Sequence, residues 1–99
     1  MRWKINAVTL VNNNRSGNQS KRGFDVAYGG KQTEKAREMW MLNEVNFAKI
    51  AEDMGAVGIR VEKPGELPGA FERAFKANAP VILDVVSDIE AIAPLAWAP

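Results

Sequence analysis

Three consecutive asparagines are the residues of this sequence whose type and position best suit binding chemistry. Residues 5–11 form a short apolar run rich in β-branched side chains, which predicts a strand, and Asn12, Asn13 and Asn14 follow it directly. In open α/β sheets, ligands bind beyond the carboxyl ends of the strands. Asparagine oxygens and the backbone carbonyls of a tight turn are suitable ligands for Mg²⁺ or Ca²⁺. Asparagine is also a common turn residue, and this pattern alone favours a simple turn.

Other chemically suggestive residues have simpler interpretations. Residues 29–31 (GGK) do not complete a phosphate-binding loop, because Asp25 stands where that motif needs glycine and Gln32 where it needs serine or threonine. Asp84 lies within an apolar run, where it is either a functional carboxylate or, more commonly, a paired one. Large apolar side chains could line a ligand or partner surface, although core packing is the more usual role: Trp3, Met39, Trp40, Met41 and Trp97.

The composition excludes several classes of site and partner. The 99 residues include no cysteine and no histidine, which excludes disulfides, thiolate or imidazole metal sites and histidine bases. A net charge of +1 does not favour nucleic-acid binding. Residues 1–40 carry eight basic and three acidic side chains, so this half either has an ordinary solvated surface or faces an anion such as phosphate. No apolar stretch suits a signal peptide or a membrane span, so we expect a cytoplasmic protein that does not enter a membrane.

The elements that must position these residues alternate between strands and helices. Four glycines among polar residues predict a long loop over residues 14–42, with a short helix possible over residues 33–42. Phe47, Ile50, Ala51 and Met54 have helical spacing and predict one buried face of a helix over residues 43–54.

The second half of the chain repeats this alternation. A strand is predicted over residues 57–61, a helix over residues 67–75 and a strand over residues 81–86. The fold class is therefore α/β, a single domain with a Rossmann-like parallel sheet of about three strands and flanking helices. We expect the strands to be buried on both faces, the first one included, and the sheet edges to be open unless further chain covers them.

Taken in order, these segments resemble thiamine-diphosphate-dependent enzymes, with acetolactate-synthase-like carboligases as the closest likeness. Residues 8–17 (VTLVNNNRSG) look like the end of the metal and diphosphate motif of that family. Residues 46–55 (NFAKIAEDMG) resemble the helix that follows its loop, and residues 58–67 and 80–86 resemble its C-terminal end. The likeness runs from about residue 5 to residue 97, and the combined order is more specific than any one segment.

The resemblance implies a set of ligands for thiamine diphosphate and Mg²⁺. In the family, a Gly-Asp-Gly motif opens the binding segment and an Asn-Asn pair closes it. By this likeness Asn13 provides a side-chain oxygen to Mg²⁺ and Arg15 a backbone carbonyl oxygen. Gly17 keeps the turn open near the diphosphate, Asn18 lies close to cofactor or substrate, and residues 21–32 lie over the active site. No residue of this chain is assigned a catalytic role.

The sequence also departs from the family pattern. No Gly-Asp-Gly occurs in the 99 residues, and the activating glutamate of the family lies in a separate domain. We therefore expect the C-terminal part of a cofactor domain from a carboligase or decarboxylase of small 2-oxo acids, inactive alone. A homo-oligomer or a complementary polypeptide would supply the rest. The alternatives are a non-catalytic interaction or oligomerisation module of the same fold and, with less support, another nucleotide-binding α/β domain.

Overall fold

Three strands and four α-helices make up the computed structural model, which describes Trp3 and residues 5–91. In chain order they are β1 (Val8–Asn13), α1 (Asn18–Ala27), α2 (Glu34–Arg37), α3 (Phe47–Asp53), β2 (Val57–Val61), α4 (Leu67–Lys76) and β3 (Val81–Val86). A 3₁₀ turn, Pro64–Glu66, leads into α4. Among the described residues, no helix has the length and hydrophobicity that crossing a membrane requires.

The strands form one parallel sheet in the order β1-β3-β2, with β3 in the centre. This arrangement confirms the predicted α/β fold class and the predicted boundaries of β2 and β3. Because all three strands run in the same direction, their carboxyl ends meet at one edge of the sheet. Asn13, the last residue of β1, pairs there with Val86 of β3. The fold thus places Asn13, the predicted metal-binding residue, at the edge of the sheet where α/β proteins bind small molecules.

The core lies between the sheet and α4. Leu83 and Val81 of β3 are 0% and 1% exposed, and small residues of α4 allow the helix to approach them closely. The core cluster consists of Ile59, Val61, Ala70, Ala74, Val81 and Leu83. Since α4 buries alanines, the sheet and the helix can lie close enough to exclude water with only a few side chains.

The prediction of an uninterrupted loop over residues 14–42 is wrong for residues 18–27, which form α1, whereas the short helix expected over residues 33–42 is present as α2. Helix α1 buries no residue, and Gly23 stands in its middle, where glycine weakens a helix. Its stability comes from residues distant in sequence. Lys21 forms an ion pair with Glu90, and Asp25 accepts a hydrogen bond of 2.5 Å from Gln32. Such contacts cannot be predicted from local sequence patterns.

Helix α3 is present, but its predicted buried face is only partly correct: Ala51 is buried and Phe47 half-buried, whereas the prediction is wrong for Ile50 and Met54. Ala48 and Ala51 are buried against the sheet, whereas Ile50 is 46% exposed and Met54 65% exposed. The reason is the close approach of α3 to β2, which only small side chains permit. The Asn46 side chain accepts a hydrogen bond from the Lys49 N–H at 2.8 Å and so caps the helix, as the sequence allows.

Strand β1 is not buried on both faces. It is an edge strand of the described sheet, and Leu10 is 45% exposed. Of the large apolar side chains considered above, Trp40 is buried, while Trp3, Met39 and Met41 are exposed. Trp97 lies outside the described residues.

Candidate metal and cofactor site

Asn13 is one of two buried polar residues in the part of the chain that the structure describes, and 5% of its surface is exposed. Its amide nitrogen donates two hydrogen bonds, to the Val45 carbonyl at 2.9 Å and to Asp84 Oδ1 at 2.8 Å. Both neighbours are acceptors only, so the NH₂ group of Asn13 must face them. The amide oxygen is consequently turned away from Asp84, and this oxygen is the atom that a hard cation would bind.

The other buried polar residue, Asp84, lies in β3 and is 0% exposed. Its Oδ1 accepts the bond from Asn13, and its Oδ2 accepts bonds from the Phe47 N–H at 3.0 Å and from Arg60 Nη1 at 2.9 Å. These donors come from β1, the start of α3 and β2. The carboxylate therefore joins three elements behind the predicted ligand, and its charge is paired as burial requires.

Arg60 links this buried carboxylate to the surface. It also contacts Glu62 at 2.9 Å and Glu44 at 2.7 Å, both of which are exposed. The hydrogen bond with Glu62 is the largest cause that raises the pKa of Arg60; burial acts in the opposite direction, and the charge of Asp84 adds to the increase. The guanidinium group thus remains charged and keeps Asp84 paired.

The turn after β1 brings the predicted backbone ligand into place. Arg15 adopts a left-handed conformation, with φ of 58°, and its carbonyl oxygen accepts a hydrogen bond from the Leu42 N–H at 2.8 Å. A carbonyl oxygen has two lone pairs, so this bond leaves one that could bind a cation. The Asn14 side chain accepts a bond from the Ser16 N–H at 3.1 Å, which tightens the turn.

Gly17 and Asn18 lie where the turn meets α1. The Gly17 N–H donates to the Trp40 carbonyl at 2.6 Å, and Asn18 Nδ2 donates to the Ala91 carbonyl at 3.3 Å. A Cβ added at Gly17 would meet only that Trp40 carbonyl, at 3.7 Å, which is ordinary contact distance. The contacts of the described residues therefore do not require glycine at position 17. The open space beside Gly17 could hold part of a ligand.

The backbone of residues 40–45 supports the whole turn. The Val45 carbonyl accepts a hydrogen bond from the Asn13 side chain, and the Trp40 carbonyl accepts one from the Gly17 N–H. The Leu42 N–H donates a hydrogen bond to the Arg15 carbonyl. No motif in the sequence pointed to this segment. Three of the four predicted site residues, Asn13, Arg15 and Gly17, are thus held by one facing segment, whereas Asn18 bonds to Ala91.

The residues present fit an oxygen-ligated cation with an attached anion. Ser16 Oγ and Asn18 Oδ1 are buried polar atoms that have no hydrogen-bond partner among the described residues. Buried polar atoms without a partner are uncommon, and a bound ligand would supply partners for these two. Helix α1 also begins here, and no side chain among the described residues caps it. Its first N–H groups favour an anion such as a diphosphate.

Sequence reasoning did not connect Asp84 and Arg60 to this site. The available signal was a single carboxylate in an otherwise apolar run, which indicated a paired group without identifying the partner. The parallel register supplies that partner, because Asp84 lies opposite Arg60 in β2 and close to the end of β1.

Comparison with known proteins gives a consistent family. The family described as "Thiamine pyrophosphate enzyme, C-terminal TPP binding domain" matches residues 1–85. An acetolactate synthase large subunit from Haemophilus influenzae is 30% identical over 95 residues, which cover 94% of this chain and 16% of that protein. An acetolactate synthase from Bacillus subtilis is 41% identical over 44 residues, 44% of this chain and 8% of that protein. A Bacillus subtilis protein described as thiamine pyrophosphate-containing is 44% identical over 45 residues, 46% of this chain and 8% of that protein.

The matches identify the family of the chain and show how much of each relative it covers. The chain spans 8% to 16% of the length of these curated relatives. The family match covers most of the chain, including β1, the turn, β2 and β3 up to residue 85. The chain therefore belongs to the family of C-terminal thiamine pyrophosphate (thiamine diphosphate) binding domains of thiamine pyrophosphate enzymes.

Proposed function

We propose that this chain contributes the metal-binding turn of a thiamine diphosphate site in an acetolactate-synthase-like carboligase or decarboxylase of 2-oxo acids. The observation that carries the proposal is the buried Asn13 amide, whose nitrogen is held by two acceptors so that its oxygen is presented to a ligand. Two buried oxygens, at Ser16 and Asn18, have no hydrogen-bond partner in the described part of the chain and support the same position for the ligand.

Each residue of the turn has a distinct role in this proposal. The Asn13 oxygen and the Arg15 carbonyl bind Mg²⁺, as oxygen ligands suit a hard cation. Gly17 leaves space beside the diphosphate, and Asn18 meets the cofactor or substrate at the start of α1. The bound cofactor supplies the carbon nucleophile that makes and breaks bonds next to a carbonyl group. The chain's own residues position the cation, whose charge offsets that of the diphosphate.

Partners follow from the same proposal. The further metal ligand and the activating carboxylate of the family belong to segments outside these 99 residues, which a complementary polypeptide or an oligomer that carries the missing domains would supply. We therefore expect the isolated chain to bind cofactor without turning over pyruvate, which a coupled assay of the purified chain checks.

Calorimetric titration of the folded chain with thiamine diphosphate and Mg²⁺ tests the binding. We expect saturable heat that disappears when EDTA removes the metal. Ligand up to about 1 mM detects interactions of about 4 kcal/mol or stronger. Asn13→Ala should weaken this binding at least about 10-fold. Asn6→Ala, which removes an exposed amide just before β1, should leave it unchanged. A folded wild-type chain without metal-dependent heat would contradict the proposal.

A second candidate function is an interaction or oligomerisation module. It is favoured by two exposed apolar side chains, Ile50 in α3 and Met54 directly after it, and by the unpaired outer edges of β1 and β2 in the described sheet. Light scattering across a concentration series tests it. Self-association that Ile50→Ser abolishes supports the module, whereas a strict monomer at high concentration argues against it.

A further inference from the structure

The buried carboxylate of Asp84 has more partners than packing alone would require. β3 is otherwise apolar, and an apolar side chain at this position would fill the core without the cost of burying a charge. Three donors from three elements converge on the two oxygens instead, at distances of 2.8 Å to 3.0 Å. These hydrogen bonds fix the orientation of the donor groups that surround the Asp84 carboxylate.

The group whose orientation matters is the Asn13 amide. An amide can face its neighbours with either its NH₂ group or its oxygen, and the two differ only by a half-turn. At Asn13, one orientation makes two hydrogen bonds, to Asp84 and to the Val45 carbonyl. The reverse orientation would place the oxygen against two acceptors, losing both bonds and adding repulsion. Asp84, as an ionised acceptor, therefore selects one orientation strongly.

We propose that Asp84 is a positioning residue that holds the Asn13 amide with its oxygen turned toward the metal of the cofactor. This inference rests on the proposed function, which makes that oxygen a metal ligand. Arg60 supports the arrangement by donating to the same Asp84 oxygen as the Phe47 N–H, which leaves the other oxygen for Asn13. Metal ligands in proteins are commonly oriented in this way by groups behind them.

Asp84→Asn tests the orientation with a nearly isosteric side chain. Arg60 and the Phe47 N–H both donate, so the oxygen of the introduced amide faces them and its NH₂ group faces Asn13. The Asn13 amide then faces a donor at position 84 and an acceptor at the Val45 carbonyl, so its oxygen is no longer held toward the metal, and in the reversed orientation its own NH₂ group takes that place. We expect the affinity for Mg²⁺ with thiamine diphosphate to fall about 10- to 100-fold while circular dichroism shows a folded chain. The control Glu44→Gln removes an exposed partner of Arg60 and should leave the affinity unchanged.

A rescue variant separates positioning from a purely structural role. Combining Asn13→Asp with Asp84→Asn reverses the polarity of the hydrogen bond, because the amide at position 84 donates and the carboxylate at position 13 accepts. The second carboxylate oxygen at position 13 is then available to the metal. Because the carboxylate at position 13 gives up the bond to the Val45 carbonyl, we expect the double variant to regain part of the metal-dependent binding that Asp84→Asn loses. A loss that arose from general damage to the fold would not be recovered by a second substitution.

Side-chain amide NMR provides a readout that does not depend on the cofactor. In the folded wild-type chain the Asn13 NH₂ protons should exchange with solvent at least about 10-fold more slowly than those of the exposed Asn43. Equal exchange rates would overturn the positioning role, and so would a folded Asp84→Asn variant with wild-type affinity. A wild-type chain that protects these protons but binds no metal and cofactor would instead overturn the proposed function, and with it the metal-directed part of this inference.

Discussion

Gly58→Ala should separate α3 from the sheet and loosen the support of the candidate site. Gly58 lies in β2 directly beneath α3, and a Cβ added there would lie 2.0 Å from the Ala48 carbonyl oxygen and 2.6 Å from its carbonyl carbon. Real Cβ atoms essentially never come within 3.0 Å of such atoms. The obstacle is helix backbone, which cannot rotate away as a side chain can. Helix α3 must therefore retreat from β2 by about 1 Å.

The loss of stability can be worked out from the contacts and the hydrogen bond that this displacement of α3 weakens. A gap of this size forfeits a quarter to a half of the dispersion energy between the buried alanines of α3 and the sheet, and overpacking of this kind costs about 1–3 kcal/mol. The displacement also stretches the 3.0 Å bond from the Phe47 N–H to Asp84, a charge-assisted bond of about 1.5–3 kcal/mol. We expect the free energy of unfolding to fall by about 3 kcal/mol, a large share of the stability of a small domain.

Thermal unfolding followed by circular dichroism measures this loss. A decrease of about 3 kcal/mol corresponds to a Tm about 12 °C lower, or more, in a domain of this size. Gly69→Ala is the matched control, because a Cβ there meets nothing within 4 Å and Gly69 lies in α4. This control should raise the stability by about 0.5 kcal/mol through helix propensity. A Gly58→Ala variant with the wild-type Tm would refute the close approach of α3 to β2.

Three further predictions follow from local features. Asn78 has a left-handed backbone, with φ of 48°, and accepts a hydrogen bond from Asn6 at 2.6 Å. Asn78→Ala should therefore lower the free energy of unfolding, measured by chemical denaturation, by about 1–2 kcal/mol. An unchanged denaturation midpoint would contradict the left-handed backbone. Backbone N–H donors lower the pKa of Glu66 below 4.5, so its stabilisation is present above pH 4.5 and is lost as the pH falls through the lowered pKa. Glu66→Gln should therefore lower the Tm at neutral pH but not in strong acid, and an offset independent of pH would argue against this. Phe75 stacks on Phe71 with centroids 6.1 Å apart but is 73% exposed, so Phe75→Ala should cost less than about 1 kcal/mol of unfolding free energy; a larger loss would mean that other parts of the molecule cover it.

The sequence was most informative where structure is local. Strands β2 and β3 have the boundaries that their β-branched runs predict, and α4 follows its apolar spacing. The α/β class could be predicted because alternating strands and helices leave few arrangements other than a parallel sheet. Helix α1 could not be predicted, because its side chains contact Gln32, Trp40 and Glu90, which lie 7 to 69 residues away from their partners.

Burial was harder to predict than element type. Apolar spacing in α3 predicted that Ile50 and Met54 face the core, but the helix buries Ala48 and Ala51. The deciding factor is the space above Gly58, which only the packing of two elements defines. In the same way, an apolar run indicated a strand at β1 but not that it is an edge of the described sheet.

For the candidate site, the sequence by itself determined the kind of ligand and its place in the chain: oxygen-bearing residues at the end of a strand, in a segment that resembles a known cofactor family. Only the tertiary structure decided how these residues are held. Asn13 and Asp84 are 71 residues apart, and they meet because β1 and β3 pair in parallel. The orientation of an amide depends on the acceptors that face it, and those acceptors come into contact with it only when the sheet and α3 pack together.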